Sequence, residues 1–198
     1  MKKFVVVIVT CATILIAFPK AVAMQKLTYS RAQSHIATEA MTYDIPLQKE
    51  YQAYIYYMCK KYNVSFELAL SVAHTESWFN LKKESNTGDV GLFQINKVTV
   101  EKISRGINRK IDPYNIWDNI SGGVWYLSYL QNYWYNQGYR GDSLEQMTLI
   151  SYNRGITGTY KYMSSQNIMN NNYIKEALQY KRSLQNMKQK YYTIDNYN

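Results

Sequence analysis

The run FELALSVAHTES, residues 66–77, is apolar almost all the way round a helical wheel until a carboxylate, Glu76, interrupts its last turn. A helix without a polar face has to be enclosed by other elements, so the rest of the chain must supply a jacket for it. The acid adds a second constraint. A carboxyl group among apolar neighbours has its charged form destabilised, and the partial negative charge at a helix C-terminus acts in the same direction. Position 76 is therefore expected to hold a proton near neutral pH and to be able to donate it. The plainer reading is a helix terminus whose acid pairs with Lys82 or Lys83.

The jacket is legible as further helices. Leu47, Tyr51, Ile55, Met58 and Tyr62 recur every three or four residues, the period of an amphipathic helix. NVS (63–65) breaks it, with Ser65 as N-cap of the next helix and Glu67 in its favourable first turn. In IDPYNIWDNISGGVWYLSYLQNYWYNQG (111–138), Asp112 is the expected cap and Pro113 the first helical residue, with Ile116, Ile120, Val124, Leu127 and Leu130 forming the apolar stripe. GDSLEQMTLISYNRG (141–155) predicts another helix, capped by Asp142 or Ser143 and stopped by Gly155. NNYIKEALQYKRSLQNMKQKYY (171–192) predicts a last one, basic and rich in Asn and Gln. Between the second and third elements, NLKKESNTGDVGLFQIN (80–96) gathers polar turn residues around Gly88 and Gly91. Irregular structure or a small hairpin is expected there. The fold class is mainly α, with a small β-hairpin region.

Residues 1–23 read as a secretory signal: a basic MKK, an apolar core of about 15 residues, shorter than the ~20 of a membrane span, and an A-x-A pattern at Ala21 and Ala23. Cleavage near Ala23 would leave no integral membrane span and a domain that works outside the cytoplasm; an uncleaved anchor is the alternative. Residues 24–45 are then a polar linker or loosely packed lead-in, 46–182 the folded domain and 183–198 a basic, Tyr- and Asn-rich tail. The signal segment carries Lys2, Lys3 and Lys20 and no acid, so the remainder keeps a net charge of +6 out of +9. That charge suits a polyanionic setting. Nucleic acid would fit it equally, but no nucleic-acid motif is present and export argues against such a partner. The chain has 21 Tyr against 5 Phe, and phenol rings, apolar on their faces with a polar tip, suit sugars and interfaces.

Cys11 falls in the signal, which leaves Cys59 alone, without a disulfide partner, a CxxC or a Cys/His metal spacing. No metal or cofactor is implied, and Cys59, in YYMCKKY, reads as a packing residue. His74 stands two residues before Glu76, and positions i and i+2 do not share a helix face. A His74–Glu76 dyad is thereby disfavoured, and His74 too reads as packing.

The run ESWFNLKKESNTGDVGLFQIN resembles the signature of the soluble lytic transglycosylase catalytic domain, a relative of goose-type lysozyme. Glu76, Ser77, Phe79, Asn80, Ser85, Gly88, Gly91, Leu92, Gln94 and Ile95 stand in register with that pattern. DPYNI (112–116), GGVWYLSYL (122–130) and SYNRG (151–155) match three further blocks in order, so the resemblance covers about residues 46–182. Departures are Leu81 for a usual Pro, Asp89 for a usual Ala, Phe93 for a usual Met and Arg154 for a small residue.

The resemblance implies a lysozyme-like domain flanking a glycan cleft. The implied substrate is the peptidoglycan strand, cut between N-acetylmuramic acid and N-acetylglucosamine. Glu76 is the implied single acid/base, and the muramyl 6-OH the attacking group, giving 1,6-anhydro ends. Ser85 and Gln94 are implied to line the sugar subsites, Phe93 to wall the reacting sugar, Tyr152 to hydrogen-bond and orient the acid, and Asn153 to bind sugar. Trp78, Trp117, Trp125 and Trp134 could each be core or sugar platform. A hydrolytic N-acetylmuramidase is the nearest rival and would need a second carboxylate or a nucleophile, for which Asp89 is the one acid in the right segment. A non-catalytic wall-binding accessory protein is the other. The small size and the lack of an added wall-binding repeat point to a local role beside a secretion or conjugation machine of the cell envelope, against general wall remodelling or lysis.

Overall fold

The computed structural model describes residues 42–164 and 171–195, with side chains as far as residue 188. The predicted signal, most of the lead-in and the end of the predicted tail lie outside the described residues. Among the described residues there are six helices: α1 Lys49–Tyr62, α2 Phe66–Ser77, α3 Lys97–Gly106, α4 Ile116–Asn136, α5 Gly141–Met163 and α6 Asn172–Asp195. None of them is long and apolar enough to cross a membrane.

The apolar helix is α2, and it is enclosed as its composition demands. Ser65 caps it, its hydroxyl accepting from the Leu68 N–H at 3.3 Å. Leu68 through Ala73 are buried without a break. The helix packs against α6 on one side and α1 on another, while α4 joins α1 to α5 and α3. It ends where Trp78 turns into the left-handed region at φ 54° and gives its N–H to the His74 carbonyl at 2.7 Å. Packing begins ahead of residue 46, inside the predicted lead-in. Tyr43 is buried, its hydroxyl donating to Glu67 at 2.8 Å, and the Gln52 amide pairs with both its N–H and its carbonyl.

Three local expectations are corrected. The cap of α4 is Asn115, whose Oδ1 accepts from the N–H groups of Trp117 and Asp118, so the helix starts at Ile116. Asp112 instead closes a turn on the Tyr114 N–H, the use an Asx side chain finds just ahead of a helix. Helix α5 has no side-chain cap; Ser143 donates back to the Arg140 carbonyl. Gly155, at φ 69°, breaks α5 for a single residue, after which helix resumes to Met163.

The hairpin is the larger correction. Residues 80–96 form no strand, only two isolated antiparallel bridges, Glu84 with Val90 and Val90 with Ile95. Positive φ at Gly88, Gly91 and Gln94 turns the chain every third residue, so no extended run is long enough to build a ladder. Local bonds take up the backbone: Gly88 N–H to Ser85, Gly91 N–H to Lys83 and Gln94 N–H to Gly91. The loop is clamped to α4 by Asn119, 1% exposed, whose amide donates to the carbonyls of Val90 and Pro113 and accepts from the Phe93 N–H at 2.9 Å.

Close approach to α4 also explains its Gly123. A Cβ on Gly123 would lie 2.3 Å from the Phe93 ring, which is fully buried. Gly123→Ala is expected to destabilise the domain in urea unfolding. Overpacking costs about 1–3 kcal/mol, whereas alanine returns at most roughly 1 kcal/mol of helix propensity. A variant as stable as the parent would mean that the ring yields.

Candidate active site

Glu76 sits in the last turn of α2, half-buried. The Tyr173 hydroxyl, on α6 and 97 residues along the chain, donates to its Oε1 at 2.7 Å. Neither lysine takes the carboxylate in an ion pair among the described residues. Lys83 donates instead to the Glu76 main-chain carbonyl at 2.6 Å, as a cation at a helix C-terminus does. The carboxyl is pushed up to about 7, chiefly by burial; the Tyr173 hydrogen bond and the Lys83 charge pull it down, and the charges of Asp89 and Glu176 add to the rise. Tyr173 and Tyr152 are held well above the ordinary phenol range, by burial first and then by the Glu76 charge. Both phenols therefore keep their protons and act as donors.

The other expected site residues divide. Gln94 gives both Nε2 protons to main-chain carbonyls, of Lys83 and of Gly91, each at 2.9 Å. Carbonyls only accept, so this fixes the amide's orientation and leaves Oε1 as its acceptor end. Ser85 donates to Asp89 at 2.7 Å while its oxygen accepts from the N–H groups of Thr87 and Asp89. Its hydroxyl organises the loop and has no proton left for a sugar. Phe93 is no wall beside a sugar: with no Cβ at Gly123 to hold it off, the ring sinks fully into the core. Tyr152 does not bond the acid. Its hydroxyl donates to the Phe93 carbonyl at 2.8 Å, and the phenol on Glu76 is Tyr173. Asn153 is exposed on α5.

Asp89 is half-buried. Burial alone would raise its carboxyl, but hydrogen bonds from Ser85, Thr87 and Asn96 outweigh that and hold it below the usual carboxylate range. His74 is packing, as expected: its ring stacks on Tyr180 with centroids 3.7 Å apart, and burial lowers its proton affinity. The tryptophans also separate. Trp134 is core, its indole donating to Ser151 at 2.7 Å; Trp117 and Trp125 are half-buried among tyrosines; Trp78 is 68% exposed. Among the described residues no group of three or more His, Cys, Asp or Glu side chains is placed to hold a metal ion.

Residues 53–175 match the family model described as the transglycosylase SLT domain. The chain belongs to the SLT family. Two solved structures share the SLT fold with it. One is an inactive mutant of the lytic transglycosylase Slt from Pseudomonas aeruginosa, at TM-score 0.50 and 16% identity over 68% of this chain and 22% of that one. The other is the 70 kDa soluble lytic transglycosylase from Escherichia coli, at TM-score 0.51 and 21% identity over 64% of this chain and 23% of that one. The present chain thus spans under a quarter of the length of either. Within the SLT domain, Tyr173, Asn119 and the Lys83 cap escaped sequence reading, because each acts through a contact made only in three dimensions.

The raised Glu76 carboxyl has a consequence for stability. Its folded value of about 7 lies above the 4.5 of a free side chain, so the folded state binds the extra proton between those pH values. The associated stability is fully present below pH 4.5 and lost as pH rises through 7. Relative to Glu76→Gln, the parent should lose roughly 3 kcal/mol at most between pH 4 and pH 8.5. Urea unfolding of both proteins at the two pH values measures this, and a pH-independent difference would contradict it.

Proposed function

We propose that this SLT domain is a lytic transglycosylase acting on peptidoglycan glycan strands outside the cytoplasm, with Glu76 as its single acid/base. The observation that carries the reading is a carboxyl group poised near neutral pH and oriented by the Tyr173 hydroxyl. Protonated Glu76 gives its proton to the oxygen linking N-acetylmuramic acid to N-acetylglucosamine, and the C1–O bond breaks through an oxocarbenium-like state. The carboxylate then takes the proton of the muramyl 6-OH as that oxygen bonds to C1. The product is a 1,6-anhydro ring; the enzyme regains its proton and no water is consumed. A nucleophile carried by the same sugar gains from proximity, so no second catalytic carboxylate is required.

The state of Asp89 favours this over hydrolysis. A hydrolase needs a base for water or a nucleophile, and Asp89 is a weak base whose Oδ2 already accepts the hydroxyls of both Ser85 and Thr87. Gln94 Oε1 and the Asn153 amide are the proposed sugar contacts, with Tyr152 and Ser85 acting through the loop they hold. Export by residues 1–23 and a place beside a secretion or conjugation machine belong to the same proposal. A wall-binding protein without activity would have no use for a proton-holding Glu76.

Digestion of purified peptidoglycan followed by mass spectrometry should give anhydro-muramyl ends; reducing muramyl ends would replace this reading with a muramidase. Glu76→Gln should lower wall lysis about 10²–10⁴-fold while fold and wall binding persist. Undiminished lysis would sink the acid assignment.

A further inference from the structure

Trp78 breaks two local rules at one position. The residue after a helix that turns left-handed is ordinarily glycine or asparagine, because a bulky side chain is strained at positive φ. Here Trp78 adopts φ 54°, and Phe79 follows at φ 62°. The second residue recovers the strain by burying its ring, at 5% exposure. Trp78 does not. Its indole is 68% exposed, so the largest apolar side chain occupies a strained backbone position and gains little burial from it. Local rules are broken together where a site needs a particular side chain.

The indole is also held in place. It leans on the His74 ring with centroids 4.5 Å apart, and His74 in turn stacks flat on Tyr180 of α6, with planes 8° apart. A flat-stacked pair of rings from α2 and α6 thus backs the exposed tryptophan, the residue that ends α2, which meets His74 at a tilt of 52°. A side chain fixed in this way loses little freedom on binding. An indole presents a flat apolar face with one N–H at its rim. A pyranose presents the complement, a face of C–H groups ringed by hydroxyl and amide groups. Glu76 stands two residues away at the same helix end.

We infer that Trp78 is a stacking platform for a sugar ring of the glycan strand, lying beyond the ring on which Glu76 acts. This rests on the glycan-cleaving reading above, and it assigns an additional binding residue to a position where the matched family pattern specifies none.

The test uses Glu76→Gln as the background, so that bound polymer stays intact, and compares it with Glu76→Gln/Trp78→Gly and Glu76→Gln/Trp78→Tyr. The probes are sedimentation with purified peptidoglycan and titration with a soluble N-acetylglucosamine hexamer. The glycine variant should bind about tenfold more weakly, the scale of one aromatic stack, and the tyrosine variant should retain most of the binding. Because glycine relieves the positive φ, the glycine variant should melt no lower than its background. Equal binding by the glycine and background proteins would overturn the inference and leave the indole to a partner other than glycan. Lysis that survives in Glu76→Gln itself would instead refute the acid assignment, so the two failures are distinguishable.

Discussion

Glu76 holds a proton near neutral pH only because α2 is enclosed along its length. Burial is the largest contribution to its raised proton affinity, and burial at residue 76 follows from the unbroken buried stretch Leu68–Ala73 sealed between α1 and α6. The same enclosure gives Tyr173 its role. A helix that packs along α2 brings a phenol to the acid's oxygen, and desolvation keeps that phenol protonated so that it can donate. Packing, orientation and proton affinity are consequences of one seam between α2 and α6.

The loop that follows is held by other means. Residues 80–96 lack the ladder of a hairpin and rely on side chains: Asn119 from α4, Gln94 and the Ser85–Thr87–Asp89 group. A charge is built into that group, and the ionised Asp89 adds to the electrostatic rise at Glu76. A substitution that looks mild in the sequence, Asp for a usual Ala, thus couples the loop's rigidity to the acid. Lys83 ties the same loop back to the end of α2 through the Glu76 carbonyl.

What could be read from the sequence was local. The enclosure of α2, its Ser65 cap, the position of Glu76 and the packing role of His74 follow from periodicity and spacing over a few residues. The sequence is ambiguous where two residues compete for one job. Asp112 and Asn115 both suit a cap, and Pro113 favours Asp112 where the fold uses Asn115; Tyr152 and Tyr173 are both phenols near the acid, and only the fold decides which touches it. Phe93 looks like a surface wall until the missing Cβ of Gly123 lets it sink. Turn residues flanking a short apolar run predict a hairpin, but turns three residues apart leave no room for strands.

The central claim is that burial, more than any neighbouring charge, raises the proton affinity of Glu76. The most direct measurement is a pH titration of its side-chain carboxyl by carbon-13 NMR, with the resonance assigned by its loss in Glu76→Gln. A midpoint near 7 is expected. A midpoint near 4.5, the value of a carboxyl in water, would contradict the account.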